Sequence, residues 1–107
     1  MSDILKEIID HFNNNHFDKA LNLCDASNEK KIAHIIYNIK GAILFKQKNY
    51  ELAKNEFLKS IDLDEKFLDP HKNLFNLNIR LKDYKSAIIN GKNVIKLDSI
   101  KNPLKMY

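Results

Sequence analysis

One short segment of the sequence occurs three times at a nearly constant spacing. Each copy places an aromatic residue just after a polar turn and an alanine three residues later. The aromatic residues are Phe17, Tyr50 and Tyr84, which are 33 and 34 positions apart, and the alanines keep the same separation. A fixed period in this range is typical of stacked supersecondary units that each contact only their neighbours. The repeat constrains the fold more than any other feature of the chain.

Each unit is predicted to be a pair of helices, because apolar residues recur at helical spacing along it. The third helix is apolar around much of its girth, which is typical of a helix sandwiched between others. With only two glycines in the chain, we expect few turns with positive φ and no fold rich in tight hairpins. The predicted fold is an all-α, helical-hairpin solenoid of about six antiparallel helices. These helices span approximately residues 3–13, 18–26, 32–46, 50–63, 69–81 and 84–97.

Polar residues in the connections are predicted to cap the helices that follow them. Asn49 and Asp83 precede the second helices of units two and three, where a short side chain accepts hydrogen bonds from free N–H groups. Asp69 followed by Pro70 predicts an N-cap with proline at the first helical position.

The middle unit carries a recognisable motif. It places Tyr37, Gly41, Leu44, Ala53 and Phe57 at the W, G, Y, A and F of the pattern W-x2-L-G-x2-Y, then A-x3-F. On these residues the chain resembles the tetratricopeptide repeat family. Lys40 stands at the leucine of the pattern.

The resemblance covers almost the whole chain and implies about three repeats. In the third unit Phe75 stands at the glycine of the pattern and Gly91 at the phenylalanine. The expected division is one array of three helix pairs followed by a short tail, at 1–33, 34–67, 68–101 and 102–107.

In tetratricopeptide arrays the first helix of each pair lines a concave groove that holds a protein or peptide. The resemblance therefore implies that this chain is a protein-interaction module, an adaptor, scaffold or chaperone-like subunit. The groove-facing positions that it implies are Leu5, Ile9, Phe12, Asn13, Ile35, Asn38, Ala42, Phe45, Lys46, Asp69, Lys72, Asn76, Ile79 and Arg80.

Two rows emerge from these positions. Phe12, Phe45 and Ile79 form an apolar row, and the residue that follows each of them forms a polar to basic row beside it. A strip of this kind fits an amphipathic peptide or helix with acidic residues on one edge. The alternative is that the two phenylalanines simply pack against neighbouring helices, as aromatic residues at helical spacing often do.

One ligand of the family is not expected here. Some members bind the acidic C-terminal tails of heat-shock chaperones through Lys, Asn, Asn, Lys and Arg. The matching positions in this chain hold Leu5, Ile9, Ile39, Asp69 and Asn73. We therefore predict that such tail peptides do not bind.

Charge is unevenly distributed along the chain. The net charge is −2 over residues 1–33, +1 over residues 34–67 and +4 over residues 68–101. A basic end attracts nucleic acid or an acidic protein surface, so the alternative function is a nucleic-acid binder that uses the basic third repeat. Arg80 is the sole arginine among 18 basic residues. Because arginine is the preferred side chain for phosphates and base edges, nucleic acid is disfavoured.

Residues for catalysis, metal or cofactor binding are not grouped in the sequence. His11 and His16 are five positions apart, which is not the spacing that places two metal ligands on one helical face. Cys24 lies among apolar residues and is predicted to be a buried structural thiol. There is no glycine-rich phosphate loop. We therefore expect no enzymatic activity and no cofactor.

The compartment is predicted from cysteine usage and hydropathy. A single cysteine cannot form an internal disulfide, which is typical of intracellular proteins. The N-terminus has no long apolar segment of a signal peptide. The longest apolar runs fall far short of the roughly 20 residues that a membrane helix needs. We expect a soluble, cytoplasmic protein.

The C-terminal end is expected to leave apolar surface uncovered. Repeat arrays need a polar capping helix over the last apolar face, and only ten residues follow Leu97. Ile88, Ile95, Leu104 and Met106 are therefore predicted to be exposed. Exposed apolar surface of this sort often marks an interface, so we expect a second copy or a partner to cover it. The alternative is that the sequence is a fragment or a degenerate array with a loosely ordered end.

Overall fold

A computed structural model describes residues 3–101, which form helices joined by short connections. No strand occurs in this part of the chain, so the all-α prediction is confirmed. The last helix continues four residues past its predicted end at Leu97, and Leu104 and Met106 lie outside the described residues. The helices are α1 (Asp3–Asn13), α2 (Phe17–Ala26), a short 3-10 helix (Lys30–Ile32), α3 (Ala33–Lys46), α4 (Tyr50–Leu63), α5 (Leu68–Arg80) and α6 (Tyr84–Lys101).

Consecutive helices pack against one another in pairs, α1 with α2, α3 with α4, and α5 with α6. Three-residue connections hold the two helices of each pair side by side and antiparallel. The pairs stack in chain order, because α2 packs on α3 and α4 on α5, and α3 also contacts α5. This is the helical-hairpin solenoid that the sequence period predicts.

The turn inside each pair has the same backbone geometry. Asn15, Lys48 and Lys82 have φ of 60°, 63° and 62°, the left-handed conformation. The next residue donates its N–H to the carbonyl five positions back at 2.8 to 2.9 Å, which is the Schellman ending of a helix. The expectation of few positive-φ turns was wrong, because it assumed glycine. Asparagine and lysine occupy this conformation three times, although it costs a residue with a side chain roughly 1–2 kcal/mol.

The predicted caps are partly confirmed. Asp83 accepts the N–H of Ser86 at 3.2 Å and its hydroxyl at 2.8 Å, so it caps α6. These bonds, the hydroxyl first, lower the pKa of the Asp83 carboxyl. Asn49 makes no side-chain cap bond to α4. The prediction for Asp69 was wrong, because α5 begins at Leu68, two residues before the predicted first helical position at Pro70, and places Asp69 inside its first turn.

Two apolar clusters join successive pairs. The first contains buried residues of α1, α2 and α3: Leu5, Ile8, Cys24 and Ile36. The second contains buried residues of α4 and α5: Ala53, Phe57, Leu74 and Leu77. In each cluster, the first helix of one pair covers the apolar face of the pair before it. Because burial of an aromatic or aliphatic side chain contributes about 1.5–3 kcal/mol, this covering stabilises the stack.

A glycine packs against a phenylalanine inside the middle pair. The third pair has an equivalent contact, but there the phenylalanine is on the first helix and the glycine is on the second. Gly41 of α3 lies so close to Phe57 of α4 that an added Cβ would be 2.5 Å from the ring. In the third pair, 34 residues later, Phe75 of α5 lies over Gly91 of α6. An added Cβ on Gly91 would be 3.3 Å from that ring. The departures of the third unit from the family pattern therefore compensate each other in volume.

Polar side chains also connect the pairs. Lys40, which stands where the family has leucine, forms an ion pair with Asp25 of α2 at 2.8 Å. Asn73 of α5 donates from its amide to the side-chain oxygen of Asn38 of α3 at 2.9 Å. These contacts connect α2 to α3 and α3 to α5.

Candidate functional site

An open groove of about 630 Å³ runs across the first helices of the three pairs, α1, α3 and α5. Seven of its lining residues are ones that the sequence placed in the groove. Phe57 is fully buried and forms part of the floor. The lining residues are Phe12, Ala42, Phe45, Lys46, Phe57, Asn73, Phe75, Asn76, Ile79 and Arg80.

The apolar row follows directly from the repeat. Phe12, Phe45 and Ile79 are the next-to-last residues of α1, α3 and α5, and all three line the groove. Stacking helices of matching length in register brings these positions side by side. Both phenylalanines are half-buried, whereas Ile79 is 43% exposed. The most accessible apolar side chain of the row is therefore at the third pair.

The two phenylalanines also contact aromatic residues of their own pair. The rings of Phe12 and Phe17 are 6.1 Å apart, and those of Phe45 and Tyr50 are 5.5 Å apart, edge to face. Contacts of this kind add roughly 0.5–1.5 kcal/mol beyond area burial. Both interpretations of the sequence apply, because one side of each ring closes the corner of a pair and the other lines the groove.

The polar row is basic along part of its length. Lys46 and Arg80 are the last residues of α3 and α5, and both are exposed. A cation at a helix C-terminus is favourable next to the negative end of the helix dipole. Lys46 extends its Nζ to 5.6 Å from the centre of the Phe12 ring, within cation–π range. The groove thus combines an apolar floor with a cationic edge.

Leu5, Ile9 and Ile35 lie away from the groove lining. Leu5 is 5% exposed and belongs to the first apolar cluster, so its assignment to an accessible surface was wrong. Ile9 and Ile35 are half-buried and pack against the same cluster. Helical spacing gives the side of a helix but does not tell which part of it the next helix covers.

Four further predicted residues also lie outside the groove lining. Asn38 is buried and occupied by its bond from Asn73. Asn13 and Asp69 are exposed. Lys72 lines a different cavity, on the outer side of the third pair.

Phe57, Asn73 and Phe75 line the groove although the sequence did not place them there. Phe75 is 37% exposed. The only sequence signal for it was the exchange of glycine for phenylalanine, which identifies a change in packing without showing where the ring lies. Asn73 carried no separate signal, because its position follows from its bond to Asn38.

The reactive side chains of the described residues lie in separate places, Cys24 in the first apolar cluster and His11 and His16 at the turn of the first pair. Cys24 is buried, as predicted, and burial raises the pKa of its thiol to about 11. His11 and His16 bring their Nδ1 atoms to 3.3 Å across the first turn, a contact that their spacing did not suggest. No three histidine, cysteine, aspartate or glutamate side chains of residues 3–101 are grouped as metal ligands would be.

The stacked helix pairs, their common turn and the groove define a tetratricopeptide-like helical-repeat fold. Within residues 3–101, no helix has the length and apolar character to cross a bilayer.

Comparison with known proteins supports this fold. The chain is similar to the solved structure "MamA RS-1 ArsTM double mutant", with a TM-score of 0.79 and 19% sequence identity. MamA is a tetratricopeptide-like helical-repeat protein. The match covers 94% of this chain but 57% of the MamA chain. No family model matches the sequence, and no curated protein matches it.

Proposed function

We propose that the chain is a protein-interaction module, and that its groove binds an amphipathic helix or peptide with acidic residues along one edge. The supporting observation is that a half-buried and partly exposed apolar row lies beside Lys46 and Arg80 in one open groove. Apolar anchors in a pocket supply most binding energy at such interfaces, while charges at the rim set orientation and association rate.

The spacing of the row suggests which side chains the partner presents. α3 contacts α5, and packed helices lie roughly 8–10 Å apart, so we expect Phe45 and Ile79 to form contact points at about that interval. In a helical ligand this interval corresponds to about five to seven residues at roughly 1.5 Å each, and in an extended ligand to about three. We therefore expect apolar residues in the ligand at one of these two periods, with acids facing the basic edge.

A capture experiment tests the proposal. The chain and its Ile79→Glu and Arg80→Glu variants are used to capture proteins from an extract of the native cell. Leu52→Glu serves as the control, because Leu52 is an exposed apolar residue of α4 outside the groove. We expect both groove variants to lose partners that the control retains. Capture of the same proteins by all variants would refute the proposal that the groove binds them.

The binding role is proposed in place of catalysis or nucleic-acid binding. Basic residues of the third pair are split between the groove edge, at Arg80, and the outer side of the pair, at Lys72. We therefore expect no shift of a labelled RNA even at low salt, where phosphate contacts are strongest. A shift that falls steeply with added salt would favour the nucleic-acid alternative.

A further inference from the structure

A second apolar surface lies on α6, on the outer side of the third pair. Tyr84, Ile88 and Ile95 are 56%, 58% and 47% exposed. Ile88 and Ile95 follow Tyr84 by four and eleven positions, so the three residues share one side of the helix. Gly91 lies on the same side, between Ile88 and Ile95. The exposure predicted for Ile88 and Ile95 is confirmed.

The middle pair shows what this kind of surface accommodates in this molecule. There, α5 packs on α4, and Leu74 and Leu77 lie in one cluster with the fully buried Phe57. The spacing of these two leucines, three residues, is that of one helical face. Position for position, the surface of α4 that α5 covers corresponds to the exposed side of α6. The natural occupant of that surface is therefore a helix.

A cavity of about 390 Å³ marks the place where such a helix would insert side chains. Among residues 3–101, no further helix follows α6 to fill it. We call this cavity together with Ile88 the end face. The cavity is lined by Lys72, Phe75, Asn76, Gly91, Val94 and Ile95.

The charges around the end face are mostly positive, with Asp98, three positions after Ile95, as the acid on that side of α6. Lys72 of α5 lines the cavity, and Lys85, Lys92 and Lys96 are exposed on α6. These three are separated by seven and four residues, so they form a row along one side of α6. Helix α6 contains four lysines and one acid. A binding partner that is acidic on its flanks would be attracted to both edges.

We propose that the end face docks an amphipathic helix of a partner protein whose apolar stripe is flanked by acidic residues. The structural precedent is α5, which covers the equivalent surface of the middle pair with two leucines. A two-fold contact between the end faces of two copies fits less well, because it would oppose like charges. The site differs from the groove, although both share Phe75 and Asn76.

Two synthetic helices test the proposal. Both carry leucines along one face at intervals of three and four residues. One has glutamates on both flanks and the other has lysines at the same positions. Binding to the full chain is measured by fluorescence anisotropy at low and physiological salt. We expect the glutamate helix to bind, and the lysine helix to bind at least about tenfold more weakly.

Variants locate the binding surface. Ile95→Glu and Lys92→Glu should each weaken binding of the glutamate helix, the first by at least about tenfold, because it places a charge in the apolar contact. Leu52→Glu, at 50% exposure on α4, should leave the affinity unchanged. Because the groove is proposed to bind helices of the same kind, the end-face variants are compared in an Ile79→Glu background, in which binding of the glutamate helix should remain. Circular dichroism melts of each variant check that it is folded.

Several results would overturn the inference. Equal binding of the two helices, or no binding by either, would show that the acidic flanks are not recognised. Loss of binding on Ile79→Glu with none on Ile95→Glu would assign the helix to the groove. Light scattering that shows a dimer, dissociated by Ile95→Glu, would identify a second copy as the occupant.

Discussion

The middle and third helix pairs make the same internal contact with the two residues exchanged. In the middle pair the ring comes from the second helix, at Phe57, and is completely buried. In the third pair it comes from the first helix, at Phe75, and is 37% exposed. The volume within each pair is conserved, but the burial is not, because α5 covers the middle pair. The neighbouring helix, and not the contact itself, decides how much the ring stabilises the fold.

This difference in burial also distinguishes surfaces that hold the fold together from surfaces that a ligand can reach. The surface of the middle pair facing α5 is closed, whereas the third pair contributes Phe75 and Asn76 to both the groove and the end face. A residue that packs less completely is available to a ligand. The two regions therefore carry different roles on nearly the same scaffold.

Replacing each of the two rings with alanine should give the largest difference in stability between the middle and third pairs. Phe57→Ala should lower the free energy of unfolding by about 3–5 kcal/mol, because it leaves a cavity in a closed core. Phe75→Ala should lower it by about 1–2 kcal/mol, because part of its ring already contacts water. Urea denaturation followed by circular dichroism measures both. Equal losses would contradict the difference in burial.

Adding one methyl group to each glycine should have opposite effects. Gly41→Ala should destabilise by about 1–2 kcal/mol, because the overlap with Phe57 outweighs the gain in helix propensity. Gly91→Ala should stabilise by up to about 1 kcal/mol, because the partly exposed Phe75 has room to yield. The same denaturation experiment decides the signs. Effects of the same sign would show that the two contacts are equally tight.

The turns, in contrast, should respond alike in both pairs. Lys48→Gly and Lys82→Gly should each stabilise by about 0.5–1 kcal/mol, because glycine removes the strain of positive φ at some cost in chain entropy. Thermal melts of both variants, with Lys85→Gly inside α6 as a destabilised control, check this. Destabilisation by either turn variant would contradict the left-handed geometry.

The smallest difference is expected at the starts of α4 and α6. Asp83→Ala should lower the melting temperature at pH 7, whereas Asn49→Ala should leave it nearly unchanged, because Asn49 makes no side-chain cap bond. The pKa of Asp83 lies below its ordinary value of 3.8 when the chain is folded. Its stabilisation is therefore present above pH 4 and is lost as the pH falls through the lowered pKa.

Thermal melts of Asp83→Ala and of the unsubstituted chain at pH values from 7 down through the lowered pKa test whether stability depends on ionised Asp83. The two melting temperatures should approach each other as the carboxyl becomes protonated. A gap that stays constant down to pH 2 would exclude the ionised cap.

Much of the fold could be predicted because the repeat specifies it twice, through period and through apolar spacing. The six α-helices of residues 3–101 fall within a few residues of their predicted limits. The left-handed turns could not be predicted, since Lys48 and Lys82 have no intrinsic preference for that conformation. The conformation is imposed by the packing of the helices on either side.

The candidate site could be predicted only in part, for a related physical reason. The resemblance to tetratricopeptide repeats implied that Phe45, Ile79 and Arg80 face the groove, and the structure brings them together. The burial of Leu5 depends on how closely α1 packs against α2 and α3, which no local pattern determines. The accessibility of Phe75 likewise depends on its surroundings in three dimensions.

The central claim is that the helix pairs are copies of one unit, and that the third reverses one contact of the second. A double-mutant cycle tests it directly. Phe75→Gly and Gly91→Phe alone should each lower the free energy of unfolding, one by a cavity and one by overpacking. Together they recreate the middle arrangement, so the double variant should recover at least about 1 kcal/mol relative to the sum of the single losses. Strictly additive losses would show that the two positions are not an exchanged pair.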